Sequence, residues 1–208
     1  MEDADGNTDV GFVTLSAVTC FTSGTLINTE HRARSVDSLV PGDLIKTLDH
    51  HLRPLLWVGR SHQQVQGKDA PIDFDESALG AHSATSISPL HRELITNPDA
   101  ALFFGSDEVL VQACDLTNER TIRQRTGPHT VTYFHLLFDR HEIVTGDGLL
   151  SESFQPGHQT TASFEAPLRS SLKRIIAARN LSEMKAARPS LGKFKAKVLI
   201  THAEVLAA

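Results

Sequence analysis

Cysteine is scarce in this chain: Cys20 and Cys114 are the two among 208 residues. That excludes a disulfide framework, and neither has the paired spacing of a zinc site. Long apolar runs are missing as well. None approaches the roughly 18 residues of a spanning helix, so no membrane partner is expected. A net charge of -5, with Lys and Arg scattered, leaves no basic stripe and counts against nucleic acid as a partner. Met1 is followed by Glu2, Asp3 and Asp5 where a leader would be basic and then apolar, so no signal peptide is expected within this sequence. The 11 histidines form no His-x-x-x-His on a clear helix and flank no cysteine pair. They read as scattered surface residues, with His50-His51 in a turn after Asp49, and no metal or other cofactor is expected.

What is present suits a chain that folds in water, with 40% apolar and 22% charged residues. The length allows one domain of about 140 residues with appendages. Short β-type runs separated by turn signals fill the first three quarters: Phe12 to Val18, Thr25 to Asn28, Leu44 to Thr47, Leu55 to Val58, Leu94 to Thr96, Val109 to Val111, Thr130 to Phe138 and Glu142 to Thr145. Strands of this length and spacing predict an all-β fold. Pro41-Gly42-Asp43 is a turn in which Pro presets φ and Gly supplies a positive one, and Gly146-Asp147-Gly148 predicts a tight hairpin. Gln63 to Ser86 has little periodicity and reads as a long loop or insertion. Cys114 ends the apolar run Glu-Val-Leu-Val-Gln-Ala-Cys and reads as a small core hydrophobe.

After Phe154 the character changes. Gln155 to Ser163 is a polar linker, and Leu168, Leu172, Ile175 and Ile176 recur at helical spacing on a basic background, predicting an amphipathic helix over Pro167 to Arg179. Arg188-Pro189-Ser190 breaks the chain again. Beyond it Phe194 to Leu199, with Lys193, Lys195 and Lys197 in alternation, favours a strand over a helix. The expected organisation is an N-terminal segment over 1–19, a β domain over 20–154, and a linker with a C-terminal helical extension over 155–208.

Three segments could carry chemistry. Cys20 closes an apolar run and is followed by Phe-Thr-Ser-Gly-Thr, a Gly turn that can present a thiol. Ser88-Pro89-Leu90-His91 places a hydroxyl shortly before a histidine that opens an apolar strand, so the imidazole can be held as one tautomer and pass a proton to a leaving nitrogen. The third runs from Tyr133 to Val144. Strand alternation would put its His135 and His141 on one face of a regular strand.

Taken in order, these segments resemble the blocks of hedgehog/intein (Hint) domains. Cys20 with Val36-Asp37-Ser38-Leu39-Val40-Pro41-Gly42-Asp43 resembles the opening block, and Ser88-x-x-His91 the internal block, where Thr-x-x-His is usual. Tyr133 with His141 and then Gly148-Leu149-Leu150 is similar to the closing block. Trp57-Val58-Gly59-Arg60, Tyr133-Phe134-His135-Leu136-Leu137 and Ser151-Glu152-Ser153-Phe154 resemble a bacterial Hint subfamily found in large proteins of secreted type. The resemblance implies an all-β horseshoe with pseudo-twofold symmetry and a single-turnover, self-cleaving activity.

In that chemistry the Cys20 sulfur attacks the Thr19 carbonyl and converts the Thr19-Cys20 amide into a thioester. His91 would protonate the leaving nitrogen, Ser88 would orient it, and His141 would deprotonate the thiol or help release the second product. The substrate is the chain's own N-terminal segment, and water or a small nucleophile resolves the thioester. Splicing domains end in His-Asn, which this sequence lacks, so cleavage without splicing is implied. The β-branched Thr19 predicts a slow reaction. A non-catalytic Hint-fold module, presenting the basic helix or the long loop to a partner, is the alternative. A cysteine hydrolase acting in trans through Cys20 and His91 is a third reading, with no local protease signature to support it.

Overall fold

The computed structural model describes residues 19–157 and 164–199. The strand expected over Phe12 to Val18 lies outside the described residues. Among the described residues fifteen strands form two sheets. Those of the first are β1 (Phe21–Thr22), β6 (Trp57–Val65), β7 (Ile72–Phe74), β8 (Thr85–Ile87), β11 (Ile122–Gln124) and β12 (His129–Leu137). Their order is β11-β7-β8-β1-β12-β6. The second sheet contains β2 (Leu26–Asn28), β3 (Ala33–Ser35), β4 (Leu44–Thr47), β5 (His51–Pro54), β9 (Arg92–Thr96), β10 (Glu108–Gln112), β13 (Ile143–Gly146), β14 (Leu149–Glu152) and β15 (Ser190–Leu191). It runs β15-β10-β9-β14-β13-β2-β3, with β4 joining β13 and β5 joining β4. This is an all-β architecture with a C-terminal helical part.

The hairpin between β13 and β14 turns on Asp147 and Gly148, both at positive φ (52° and 100°), the turn geometry that follows the natural strand twist. A Cβ on Gly148 would also meet the His82 backbone at 2.8 Å, so glycine is required there twice over. The segment expected as a loop over Gln63 to Ser86 is built differently. β6 continues to Val65, a single 3-10 turn spans Gly67–Asp69, and β7 pairs with both β8 and β11. Runs of three residues are too short to show alternation in a sequence, and their backbone partners lie far along the chain.

Helix α1 (Pro98–Phe104) bridges β9 and β10, with Asn97 capping its N-terminus and Gly105 its C-terminus at φ 78°. Helix α2 (Ala166–Arg179) forms where the apolar spacing predicts, with Pro167 in its first turn and Asn180 ending it in the left-handed region. Residues 193–199 are helical, against the strand favoured by the alternating lysines. Ala196 and Leu199 are buried at helical spacing, so their burial outweighs the lysine pattern. Cys114 sits in the 3-10 turn Ala113–Asp115 and is only half-buried, because its strand stops just before it.

Among the described residues two main apolar clusters result, beside a minor one of Leu94, Leu110 and Ile143. The larger gathers Phe21, Ile27, Ile45, Phe74, Phe134 and Phe138 from both sheets. The smaller joins Cys20, Trp57, Tyr133, Leu137 and Phe154 to Phe164, Leu172 and Leu181 of the C-terminal extension. The extension thus covers β6 and β12 beside Cys20. Each buried Leu there contributes ~1.5–3 kcal/mol. Gly59 makes this packing possible: a Cβ would stand 2.2 Å from the Trp57 ring.

Candidate active site around Cys20

Cys20 immediately precedes β1, whose Phe21 pairs with Phe134 on one side and Ile87 on the other. That register fixes the peptide before Phe21 between β12 and the end of β8. Cys20 N donates to Ser88 Oγ at 3.0 Å, and Ser88 N donates back to the Cys20 carbonyl at 3.1 Å. The Ser88 carbonyl accepts from His91 N at 3.0 Å, closing a turn with Pro89 at its second position. The Ser-Pro-Leu-His motif is therefore a turn that brings the hydroxyl and imidazole back to the Cys20 segment.

His91 is fully buried, edge-on to Phe21 with ring centroids 4.6 Å apart. Its Nε2 lies 3.1 Å from the Glu152 carbonyl. A carbonyl only accepts, so Nε2 carries the hydrogen, and the buried Nδ1 has no hydrogen-bond partner. Burial holds the imidazole below its ordinary pKa, against the opposing pull of Glu152 and the Cys20 backbone.

His135, on β12 opposite Gly59, meets Thr19 and Cys20 together. Its Nδ1 donates to the Thr19 carbonyl oxygen at 2.9 Å, which leaves Nε2 as the bare nitrogen, 3.7 Å from Cys20 Sγ. Aromatic rings surround it: Phe164 at 4.8 Å, Phe154 at 5.7 Å and Trp57 at 6.4 Å between centroids. This dry setting pushes the imidazole down to about 4, with the positive pole of His91 adding to the effect. The same burial raises the Cys20 thiol well above its ordinary value despite a hydrogen bond with Ser88.

Glu152 ties the remaining groups together. Its Oε1 accepts from Thr19 Oγ1 at 3.0 Å and from Arg92 N at 3.2 Å. Its Oε2 meets Arg92 at 3.0 Å and His141 Nε2 at 3.2 Å. Burial would raise this carboxyl, but the His141 hydrogen bond and the Arg92, His91 and His141 charges together hold it below its usual value. His141 Nε2 also lies 3.1 Å from the Ser153 carbonyl, and its Nδ1 accepts from Ala187 N at 2.9 Å. His141 therefore reaches the Thr19-Cys20 segment through Glu152. It does not share a strand face with His135, since β12 ends at Leu137 and the chain bends before His141.

Of the residues expected to act, Thr19, Cys20, Ser88 and His91 are gathered here. Two further groups meet them: His135, singled out in the sequence for a strand face shared with His141, and Glu152, visible there only within a family-like phrase. His82, His91, His135 and His141 are buried, contrary to the surface role expected for the histidines. Among the described residues no group of three His, Cys, Asp or Glu is placed to hold a metal ion.

The two sheets, with Thr19, Cys20, Ser88 and His91 gathered at one end of β1, make an all-β domain of the kind found among self-processing domains. The chain belongs to the Hint domain family, whose description matches residues 19–158. Among solved structures it is similar to a bacterial intein-like domain from Clostridium thermocellum, at 13% identity and a TM-score of 0.42 over 65% of this chain and 98% of that one. A splice-inactive class 3 split intein, AceL NrdHF, is similar at 13% identity and a TM-score of 0.42, over 65% and 97% of the two chains. No curated protein matches this chain.

Proposed function

We propose that this domain cleaves its own chain at Thr19-Cys20 by an N-to-S acyl shift, without splicing. The observation that carries this reading is that the peptide group is gripped at both polar atoms. Its oxygen accepts from His135 Nδ1 and its nitrogen donates to Ser88 Oγ, with Cys20 Sγ 3.7 Å from His135 Nε2.

The proton on sulfur passes to His135 Nε2 as the bond from sulfur to the Thr19 carbonyl carbon forms. Negative charge then develops on the Thr19 oxygen, where the Nδ1 hydrogen already points; one such donor is worth ~10²–10³ in rate. His135 stays neutral well above pH 4, so it can act as base while the high thiol pKa keeps free thiolate rare. As the carbon–nitrogen bond breaks, His91, having taken a proton from solvent at its bare Nδ1, gives it to Cys20 N beside Ser88 Oγ, and His135 returns the sulfur's proton to solvent. The net change moves one proton from sulfur to nitrogen and exchanges an amide for a thioester. Water or a small nucleophile then releases residues 1–19. His141, paired with Glu152, steadies the upstream residue. Gly148 to Ser153 contain no His-Asn pair, so cyclisation at a downstream junction has no asparagine to use.

A second reading is a Hint fold kept for interaction, and the deep burial of the Cys20 thiol favours it. Intact-mass measurements over hours to days separate the two. Wild type should lose residues 1–19, faster with a small thiol; Cys20→Ala should not cleave, and His135→Ala should slow by ~10²-fold or more. A wild type that stays intact with thiol present leaves the interaction reading standing.

A further inference from the structure

We infer that Glu152 reads the residue before Cys20, selecting a side chain that can donate a hydrogen bond and rejecting an acidic one. The inference rests on the self-cleavage reading. Thr19 Oγ1 donates to Glu152 Oε1 at 3.0 Å across 133 positions of sequence. Arg92 holds this carboxylate in place by both its backbone nitrogen and its guanidinium, while His141 fixes the other oxygen. Glu152 itself is fully buried at the end of β14, so it cannot swing to another partner. Because the carboxylate is anchored from behind and the hydroxyl comes from the substrate side, the contact acts as a subsite for residue 19.

Geometry explains why this matters for the reaction. The Thr19 carbonyl must stay under His135 Nδ1 while its carbon faces Cys20 Sγ. Hydrogen bonds to the carbonyl oxygen and to Oγ1 of one residue fix rotation about its backbone. Loss of either lets the carbonyl turn away from the sulfur, and misplacement on this scale is expensive in rate. A site built to receive a hydroxyl also discriminates against isosteres that lack it, because the buried acceptor then loses a partner.

The test is a series at position 19 in the full chain, followed by intact mass in the presence of a small thiol. Thr19→Val keeps the shape and branching of threonine and should cleave about tenfold more slowly. Thr19→Ser, the conservative variant, should retain the rate or exceed it because β-branching is gone. Thr19→Asp should be slowest, and Glu152→Gln should relieve that penalty specifically. Equal rates for Val and Thr, or an Asp penalty unchanged in Glu152→Gln, would overturn the inference. Non-additive thermal unfolding of Thr19→Val and Glu152→Gln in a Cys20→Ala background reads the same contact without cleavage, and additivity there counts against it. A wild type that stays intact sinks the acyl-shift reading, and the unfolding cycle then decides alone whether Glu152 recognises residue 19.

Discussion

Surface carboxylates around the Gly24 turn and buried polar groups behind the Thr19-Cys20 peptide have opposite hydrogen-bonding fates. Asp37 accepts from Ser23 Oγ (2.5 Å), Gly24 N (2.7 Å) and Ser35 Oγ (2.7 Å). Asp147 accepts from Leu26 N at 2.9 Å and Thr85 Oγ1 at 2.7 Å. Both saturate backbone and hydroxyl donors in turns, as a frame requires. Among the described buried side chains, by contrast, His91 Nδ1 and the Tyr133 hydroxyl, both beside Cys20, have no hydrogen-bond partner, and neither do Arg53 Nε, Asp69 Oδ1, Glu93 Oε1 and Glu142 Oε1. An unpaired buried polar atom costs ~1–3 kcal/mol. Two of these atoms flank the peptide group at which cleavage is proposed.

The most disruptive way to break this contrast is to open the dry side by force. Gly59→Val would drive Cβ into the Trp57 ring and displace the aromatic wall over His135, with an expected loss of ~3 kcal/mol in a denaturant titration. On the frame side, Asp37→Ala removes three acceptor bonds from an exposed position, and ~1–2 kcal/mol should be lost. Burial sets the Asp37 pKa upward, but the bonds from Ser23, Gly24 and Ser35 outweigh it and hold the carboxylate below its ordinary value. This stabilisation is therefore present near neutrality and disappears at acid pH, so wild type and Asp37→Ala should converge there.

Glu93 gives the opposite sign. Burial pushes its carboxyl from an ordinary 4.5 up to about 8, although Ser151 Oγ donates to it at 2.6 Å. Its folded form holds the proton to higher pH than the unfolded chain does, so its contribution is complete below about pH 4 and is lost as pH rises through 8. Glu93→Gln should raise the melting temperature at pH 8, by the equivalent of roughly 1 kcal/mol, with little gain at pH 5. A gain that is equal at both values would mean that Glu93 is not protonated in the fold. The smallest effect belongs to Tyr133→Phe: removing an unpartnered hydroxyl should leave stability within ~0.5 kcal/mol of wild type or slightly above it. A marked loss would show that the hydroxyl has a partner in solution.

Much of the frame was legible in the residues themselves. The strand runs from Leu44 to Thr47 and from Thr130 to Phe138, the latter one residue off the observed His129–Leu137, the Asp147-Gly148 hairpin and the amphipathic α2 all follow from local spacing and turn chemistry. The strands β7 and β8 did not, because three residues cannot display a period and their stability comes from remote partners. The alternating lysines misled over 193–199, where burial of Ala196 and Leu199 decides the conformation. For the site, Cys20 stood out because a Gly turn follows it closely, and Ser88 and His91 because they bound a Pro turn with its own local signal. His135 and Glu152 lie inside regular strands, and nothing in a strand's alternation says which buried polar residue faces the reacting bond.

The sequence by itself determined the all-β class, the family and the turn that carries Ser88 and His91, since local spacing and turn chemistry are legible a few positions apart. Only the tertiary structure decided which imidazole meets the sulfur, which carboxylate receives the Thr19 hydroxyl, and that the C-terminal extension packs against the apolar cluster around Cys20. Those contacts span 115 and 133 positions. They exist because the strand register of β1 against β12, and of β14 against β9, brings distant residues to one place. Pairing across a sheet is a property of the folded chain, and local propensity does not encode it.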